Sequence, residues 1–255
     1  MVKFIRSFLR QLYTWFRKKL ISITNTSHRD KSNTIYSAAE FVVFNQIEGD
    51  YLEFGVYSGN SFSQSFHYLE NNSRDLKDIS TSLDHGNYRY LQSKIRYFAF
   101  DSFEGFPEIQ GNDLTSNAPE HWREGDTSTT KEEFLDVIHQ NGVDIDRVTL
   151  VKGWYDETLT DETKKSLGIE KAAMVHIDCD FFESTVPCLD FLTDIIHDGS
   201  VIIFDDWFRF KNDQKLGVQG ATNQWLKKNP QIKLTELARH TAQSMAFIVN
   251  IEIIS

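Results

Sequence analysis

Acidic side chains follow two apolar segments in the second half of the chain. Asp178 and Asp180 come directly after the apolar run 174–177, and Asp205 and Asp206 follow a similar run. Carboxylates this close together repel one another unless a cation neutralises them, and an all-oxygen ligand set suits Mg²⁺ or a similar hard divalent ion. We therefore predict a metal site here. The alternative is that Asp180 caps a helix while Asp205 and Asp206 occupy solvated turns.

Two polar clusters in the first half also follow apolar runs. Gly55 and Gly59 permit a tight turn and a close approach of the backbone to a ligand. A helix that begins after them would offer its first amide groups to a carboxylate or a phosphate. The segment lacks the dinucleotide-binding pattern G-x-G-x-x-G. Asp101 ends the next apolar run, where a carboxylate either accepts hydrogen bonds from ribose hydroxyls or caps a turn.

Seven short apolar segments alternate with helical patterns along the chain. Most are continuous apolar runs, which is typical of strands covered on both faces. The alternation predicts an α/β fold with an open, mostly parallel seven-stranded sheet and helices on both faces, in which ligands bind outside the carboxyl ends of the strands. The predicted strands are 51–56, 97–101, 147–151, 174–178, 200–204, 232–237 and 245–251, and the predicted helices are near 61–69, 131–139, 184–197 and 218–228.

Composition narrows the class of protein. The 255 residues are 40% hydrophobic and 25% charged, with a net charge of −10, so we expect a globular domain that does not bind nucleic acid. Cys179 and Cys188 form no disulfide framework and no zinc-ligand spacing, so we interpret them as packing residues in a reducing, cytoplasmic environment. His176 lies inside an apolar segment, and we expect a hydrogen-bonded core histidine.

The first 21 residues have the pattern of a basic amphipathic helix. Apolar side chains recur at helical spacing, and Lys3, Arg6, Arg10 and Arg17 fall on the opposite face. The arginines interrupt any apolar region of a secretory signal. We expect this helix to pack on the domain or on a second subunit of a homo-oligomer. The alternative is weak contact of residues 1–21 with an anionic membrane surface.

Four segments together resemble the macrocin O-methyltransferase family, whose members are class I S-adenosylmethionine-dependent enzymes that methylate sugar hydroxyls of natural products. The resemblance spans about residues 35–230, and its most specific part is the phrase Asp-Ser-Phe-Glu-Gly-Phe-Pro. The chain has Tyr57, Ser58 and Asn60 where the family usually has Trp, Arg and a second Gly. The four segments are 53–61, 100–107, 178–185 and 205–206, with a further similarity at 153–159.

The resemblance implies a Rossmann-like methyltransferase domain over residues 35–255, preceded by the basic helix and a linker over residues 1–34. It implies that the first loop lines the methionine end of S-adenosylmethionine, that the second strand end holds the ribose, and that the third lies near the adenine. The implied cofactor contacts, in that order, are Glu53, Gly55, Tyr57, Gly59 and Ser61, then Asp101 and Ser102, then Gly153 and Trp154.

The resemblance also assigns the metal and the reaction. Asp178, Asp205 and Asp206 match the Mg²⁺ ligands of the family. A divalent ion that binds an acceptor hydroxyl stabilises the alkoxide as it develops, and a nearby carboxylate takes the proton. Asp178 is the first candidate for this base, and a metal-bound water is the second. The expected acceptor is a small molecule with a hydroxyl group on a sugar of a natural product or glycoconjugate.

Two other functions compete with methyl transfer. A nucleotide-sugar glycosyltransferase would use Asp178-Cys179-Asp180 as its metal-binding motif, but this leaves the glycine loop unexplained. A non-catalytic relative would keep the cofactor pocket without turnover. For the acceptor we expect a pocket made by residues 109–128, with His121, Trp122 and Arg123; Trp122 is alternatively only an anchor for its loop.

Overall fold

Each of the seven apolar segments forms a strand of one sheet. The structure is a computed structural model that describes residues 33–82, 95–115 and 122–253, and these belong to one compact unit, Ser32–Ser255. The predicted strands are confirmed, and their ends differ from the prediction by at most three residues. The strands are β1 Asp50–Phe54, β2 Tyr97–Asp101, β3 Val148–Lys152, β4 Ala172–Ile177, β5 Val201–Phe204, β6 Ile232–His240 and β7 Ser244–Ile251.

The sheet has the mostly parallel arrangement that the sequence predicts. Its strand order is β3-β2-β1-β4-β5-β7-β6. The first five strands are parallel, and β7 runs antiparallel to both β5 and β6. The chain order reverses between β1 and β4, and the crevice outside the carboxyl ends at such a point is where this architecture binds ligands.

The helices agree with the prediction in place but not in length or number. The helix predicted near 61–69 continues to Ser82. The prediction ended too early because Asn72 and Ser73, which are polar but buried, interrupt the apolar repeat of the sequence. Three helices were not predicted: Thr34–Phe44, which begins at the end of the expected linker with Asn33 as its cap, and the short helices Tyr155–Thr158 and Asp161–Ser166. The helices are α1 Thr34–Phe44, α2 Asn60–Ser82, α3 Lys131–Gln140, α4 Tyr155–Thr158, α5 Asp161–Ser166, α6 Phe182–Leu192 and α7 Gly217–Lys228.

Two apolar layers cover the sheet. Side chains alternate between the faces of a strand, so neighbouring residues in β1 enter different layers. Tyr51 packs in the layer with α1, α2 and α3, which includes Phe62 and Phe134. Leu52 packs in the layer with α6 and α7, which includes Leu189 and Trp225. Because both faces are covered, the central strands are fully buried, and this explains their continuous apolar sequences.

Within the described ranges, no helix combines the length and apolar character needed to cross a membrane. The amphipathic helix predicted for residues 1–21 lies outside these ranges.

Candidate active site at the carboxyl ends of the strands

A cavity of about 570 Å³ lies where the parallel strands end. Each of the first five strands contributes a residue that follows or ends it: Gly55, Asp101, Gly153, Asp178 and Asp205. The sheet topology therefore brings together polar clusters that are up to 150 residues apart in the sequence.

Most of the site residues predicted from the sequence line this cavity, but Glu53, Gly59 and Ser61 do not. The lining residues among the predicted ones are Gly55, Tyr57, Asp101, Ser102, Gly153, Trp154, Asp178, Asp205 and Asp206.

Glu53 and Ser61 contact each other instead of facing the cavity. The Glu53 carboxyl group is completely buried, accepts a 2.5 Å hydrogen bond from the Ser61 hydroxyl, and accepts a second from the hydroxyl of Tyr51. Burial raises the pKa of Glu53 to about 8. In the structure these residues join β1 to the start of α2 and support the first loop from within the protein.

The two glycines of the first loop have different roles. Gly55 has φ +85°, and a Cβ atom there would lie 1.9 Å from the carbonyl oxygen of Asp178, so only glycine lets the end of β1 approach the chain after β4. Gly59 has φ +80°, and a Cβ there would meet Ile138 and Phe134 of α3. Gly59 thus permits helix packing and lies away from the cavity.

Asp101 organises the first loop. Its carboxylate accepts hydrogen bonds from the backbone amides of Val56 at 2.8 Å and Tyr57 at 3.3 Å. It also accepts one from the amide of Phe103 at 2.7 Å. Asp101 therefore caps the turn that follows β2, which was one of the two predicted roles. The contact of Asp101 with a ribose stays a prediction.

Asp178, Asp205 and Asp206 form a carboxylate cluster. Each contributes an oxygen, and these oxygens lie within 4.8 Å of one another. Burial, followed by the charges of Asp205 and Asp206, raises the pKa of Asp178 well above its usual range. Burial and the charge of Asp206 raise the pKa of Asp205 to about 6. A bound divalent cation would relieve this repulsion, and three carboxylates are a ligand set that Mg²⁺ accepts.

Asp180 lies beside this cluster without capping a helix. It has φ +62°, and burial followed by the charge of Asp206 raises its pKa well above its usual range. The first amide of α6, that of Phe182, donates to Asp113 and not to Asp180. The capping alternative for Asp180 is therefore wrong. Of the described acidic residues, those with carboxylates close enough to share a metal ion are Asp178, Asp205 and Asp206. A glycosyltransferase motif would instead pair Asp178 with Asp180.

Asp113 is a buried residue that the sequence analysis missed. Its two carboxylate oxygens accept hydrogen bonds from Phe182 N at 2.6 Å and Gly217 N at 2.7 Å. These are the first residues of α6 and α7, and neither helix is capped by its own N-cap side chain. Asp113 thus caps both helices from a distant loop, and no local sequence pattern marks such a cap.

Aromatic side chains form one wall of the cavity. Trp122 lines it and packs against Phe106, Phe181 and Phe210, with ring centroids 5.6, 5.1 and 5.8 Å away. Trp122 therefore anchors its loop and faces the site as well. Of the other predicted acceptor residues, Arg123 does not line the cavity, and His121 is outside the described ranges.

The remaining predicted core residues are buried. His176 is only 3% exposed, and burial lowers its pKa to about 4. Its Nδ1 atom lies 3.8 Å from Glu53 Oε1 and has no hydrogen-bond partner within the described part of the chain, so the expected hydrogen bond is missing at this atom. Cys179 and Cys188 are buried free thiols, and Cys179 also lines the cavity.

A second cavity of about 860 Å³ adjoins the first. The two share five wall residues, which are Phe106, Pro107, Trp154, Tyr155 and Ser184. The two cavities are therefore neighbours along this wall.

One curated methyltransferase is similar in sequence to this chain. A "8-demethyl-8-(2,3-dimethoxy-alpha-L-rhamnosyl)-tetracenomycin-C 4'-O-methyltransferase" from Streptomyces olivaceus is 27% identical over 171 residues, which are 66% of this chain. The aligned part spans 56% of the length of that curated relative.

Solved structures show the same fold. The O-methyltransferase NovP superposes with a TM-score of 0.58 at 21% identity, over 84% of this chain and 77% of NovP. The calicheamicin methyltransferase CalS11 superposes with a TM-score of 0.58 at 18% identity, over 87% of this chain and 80% of CalS11. At these identities the likeness shows the fold alone.

Residues 87–229, more than half of the chain, match the family described as macrocin-O-methyltransferase (TylF). This stretch includes the second strand end with Asp101 and all three acids of the carboxylate cluster. The chain therefore belongs to the macrocin O-methyltransferase family.

Proposed function

We propose that this chain is a Mg²⁺-dependent O-methyltransferase that transfers the methyl group of S-adenosylmethionine to a sugar hydroxyl of a natural product or glycoconjugate. The observation that carries the proposal is the carboxylate cluster Asp178, Asp205 and Asp206 on the wall of a cavity at the carboxyl ends of the strands. Family membership and the activity for which the tetracenomycin relative is named support the same reaction.

S-adenosylmethionine would occupy the part of the cavity next to the first three strand ends, where it supplies a methyl group on a sulfonium. Gly55 and Tyr57 would lie at its methionine end, and Asp101 would hold the loop that contains them. Gly153 and Trp154 would lie by the adenine. Glu53, Gly59 and Ser61 would act indirectly, through the loop and helix that they support.

The carboxylate cluster would hold Mg²⁺, which supplies stabilisation of negative charge on the acceptor oxygen as the methyl group is transferred. The cluster fits this ion because its oxygens converge and because its members are partly desolvated and repel one another. These are the conditions under which a cation is bound most strongly by carboxylates.

Asp178 is the candidate base. Its carboxylate lies on the cavity wall in the cluster that would hold the ion, so it would be near an acceptor hydroxyl bound there. The hydroxyl proton would pass to the Asp178 carboxylate while the oxygen–carbon bond forms and the carbon–sulfur bond breaks. The products are a methyl ether and S-adenosylhomocysteine.

The protein is proposed to act in the cytoplasm. The two cysteines are free and buried, which suits a reducing compartment. A homo-oligomer and a weak contact of residues 1–21 with membranes stay predictions.

The test is a methyl-transfer assay with labelled S-adenosylmethionine and a panel of glycosides, beginning with rhamnosides because the tetracenomycin relative acts on a rhamnosyl compound. We expect transfer that Mg²⁺ supports and a chelator abolishes. Asp205→Asn should lower turnover far more than cofactor affinity, because the ion acts on the acceptor oxygen. The control is Asp190→Asn, because Asp190 is an exposed acid on α6; this variant should turn over as the wild type does.

Three results would contradict the proposal in different ways. Full activity in excess chelator would remove the metal from the mechanism. Binding of a nucleotide sugar without binding of S-adenosylmethionine would favour the glycosyltransferase. Cofactor binding without transfer to any glycoside of the panel would indicate a non-catalytic relative.

A further inference from the structure

Arg209 connects the carboxylate cluster to the aromatic wall. Its Nε donates a 2.6 Å hydrogen bond to Oδ1 of Asp206, and its guanidinium carbon lies 5.9 Å from the centre of the Trp122 ring. All three side chains line the first cavity. Arg209 is thus in contact with a candidate metal ligand and with a candidate acceptor wall at the same time.

The charge around Arg209 is unbalanced. Among the described residues that line the first cavity, Arg209 is the only Lys or Arg, whereas six are aspartates: Asp101, Asp126, Asp178, Asp180, Asp205 and Asp206. A single guanidinium that binds one particular carboxylate in this group selects the orientation of that carboxylate.

The turn that carries Arg209 is itself fixed. The backbone amide of Arg209 donates to the carbonyl oxygen of Asp206 at 3.1 Å, so backbone and side chain are both bound to the same residue. Gln219 of α7 is buried and donates to the carbonyl oxygen of Trp207 and to the side chain of Asn212. The guanidinium therefore starts from a restrained backbone, which lowers the entropic cost of holding Asp206.

We propose that Arg209 is a positioning residue that holds the Asp206 carboxylate in place for the divalent cation. Through its contact with Trp122, Arg209 also makes the surroundings of that ring depend on whether the cation is bound. This inference rests on the proposed metal site. Arg209 binds Oδ1 of Asp206, and Asp206 contributes a carboxylate oxygen to the cluster with Asp178 and Asp205. Outer hydrogen-bond partners of this kind commonly change metal affinity by roughly 10–100-fold when removed.

The first test measures Mg²⁺ binding to the full chain by calorimetry. Arg209→Gln should weaken Mg²⁺ binding by about 10–100-fold. Arg209→Lys keeps the charge but loses the planar donor group, and it should also bind Mg²⁺ more weakly than the wild type. Arg239→Gln is the matched control, because Arg239 packs on Phe208 of the same segment and does not line the cavity; it should bind Mg²⁺ as the wild type does.

The second readout is tryptophan fluorescence during the Mg²⁺ titration. The wild type should show an emission change that is smaller in Trp122→Phe, where Trp154 and Trp207 still respond near the site. Arg209→Gln should lose the part of the change that Trp122 contributes. A merely structural arginine would leave this signal in place once the variant is folded. Thermal unfolding of each variant checks folding, and Arg209→Lys serves if Arg209→Gln does not fold.

The outcomes separate this inference from the proposed function. If the wild type binds no Mg²⁺, both the proposed metal-dependent reaction and the role of Arg209 are overturned. If the wild type binds Mg²⁺ and the two Arg209 variants bind it equally well or more tightly, the positioning role alone is overturned. Tighter binding would show that Arg209 acts only as a repelling charge.

Discussion

The Asp101 carboxylate accepts a 2.8 Å hydrogen bond from the backbone amide of Val56, in the loop that follows β1. This contact joins two adjacent strand ends, with a second bond from the amide of Tyr57 at 3.3 Å. The acid that resembles a ribose ligand is therefore also the residue that shapes the loop at the methionine end of the proposed site. A substitution at Asp101 would change both ends of the cofactor pocket.

We expect Asp101→Ala to weaken S-adenosylmethionine binding by about 1–3 kcal/mol, the usual cost of losing hydrogen bonds to a charged group. Isothermal titration calorimetry measures the change. Glu104→Gln is the control, because Glu104 is an exposed acid of the same loop that does not line the first cavity. An Asp101→Ala protein with the cofactor affinity of the wild type would argue against both roles of this residue.

Gly55→Ala should destabilise the folded protein and reduce cofactor binding. The new Cβ would lie 1.9 Å from the Asp178 carbonyl oxygen, so β1 or the chain after β4 must move. Left-handed backbone strain alone costs about 1–3 kcal/mol for a residue other than glycine. Gly125→Ala isolates this strain, because Gly125 has φ +79° and open space around its Cβ position.

Urea denaturation of the two glycine variants compares their free energies of unfolding. We expect Gly55→Ala to lose clearly more stability than Gly125→Ala, and the difference reports the clash. Equal losses in the two variants would mean that the strand ends adjust freely, and the close approach to Asp178 would then have no energetic importance.

The sheet could be predicted from the sequence because its central strands are buried on both faces. Runs such as Val201–Phe204 must be apolar throughout, and this signal is local. The approximate position of the site follows from the same signal, since polar residues that follow these runs meet at one edge of the sheet. For this reason the cluster of Asp178, Asp205 and Asp206 could be anticipated without coordinates.

Residues whose role depends on tertiary contacts could not be predicted in the same way. Asp113 caps two helices that begin 69 and 104 positions further along the chain, so nothing near it in the sequence indicates the contact. Glu53 lies in a segment that resembles a cofactor loop, yet the alternation of β1 turns it into the core. For Arg209 the sequence offers one indication. It lies three residues after Asp206, a spacing at which one tight turn brings the two side chains together.

Glu53 should make the stability of the protein depend on pH. Its pKa is about 8 in the folded state and 4.5 in the reference state for the unfolded chain. Between these values the unfolded chain releases its proton while the folded protein keeps it, so stability falls as pH rises. This group contributes a slope of up to about 1.4 kcal/mol per pH unit, which is lost below and above that window.

Glu53→Gln should remove this contribution, because an amide is neutral at every pH in the window. The measurement is the free energy of unfolding in urea at steps between about pH 5 and pH 8. Glu236→Gln, an exposed glutamate of β6, should keep the slope of the wild type. If the Glu53→Gln protein follows the wild-type curve throughout, Glu53 does not hold its proton in the folded state.

Asp113 should contribute to stability more than an ordinary helix cap does. Asp113→Ala removes the acceptors for the first amides of α6 and α7, and the loss should be about 1–4 kcal/mol, since one lost cap costs about 0.5–2 kcal/mol. Thr130→Ala provides the scale, because Thr130 caps the single helix α3. Asp113→Asn keeps one acceptor oxygen and should fall between the wild type and Asp113→Ala.

Hydrogen exchange assigns the loss to the two helix ends. The amides of Phe182 and Gly217 should exchange faster in Asp113→Ala, because water replaces the buried carboxylate as their partner. Thr130→Ala should leave both amides protected, since it acts on a different helix. A stability loss in Asp113→Ala no larger than that in Thr130→Ala, with Phe182 and Gly217 still protected, would show that each helix start finds another acceptor. In that case the loop that contains Asp113 would not be what holds the segments after β4 and β5 together.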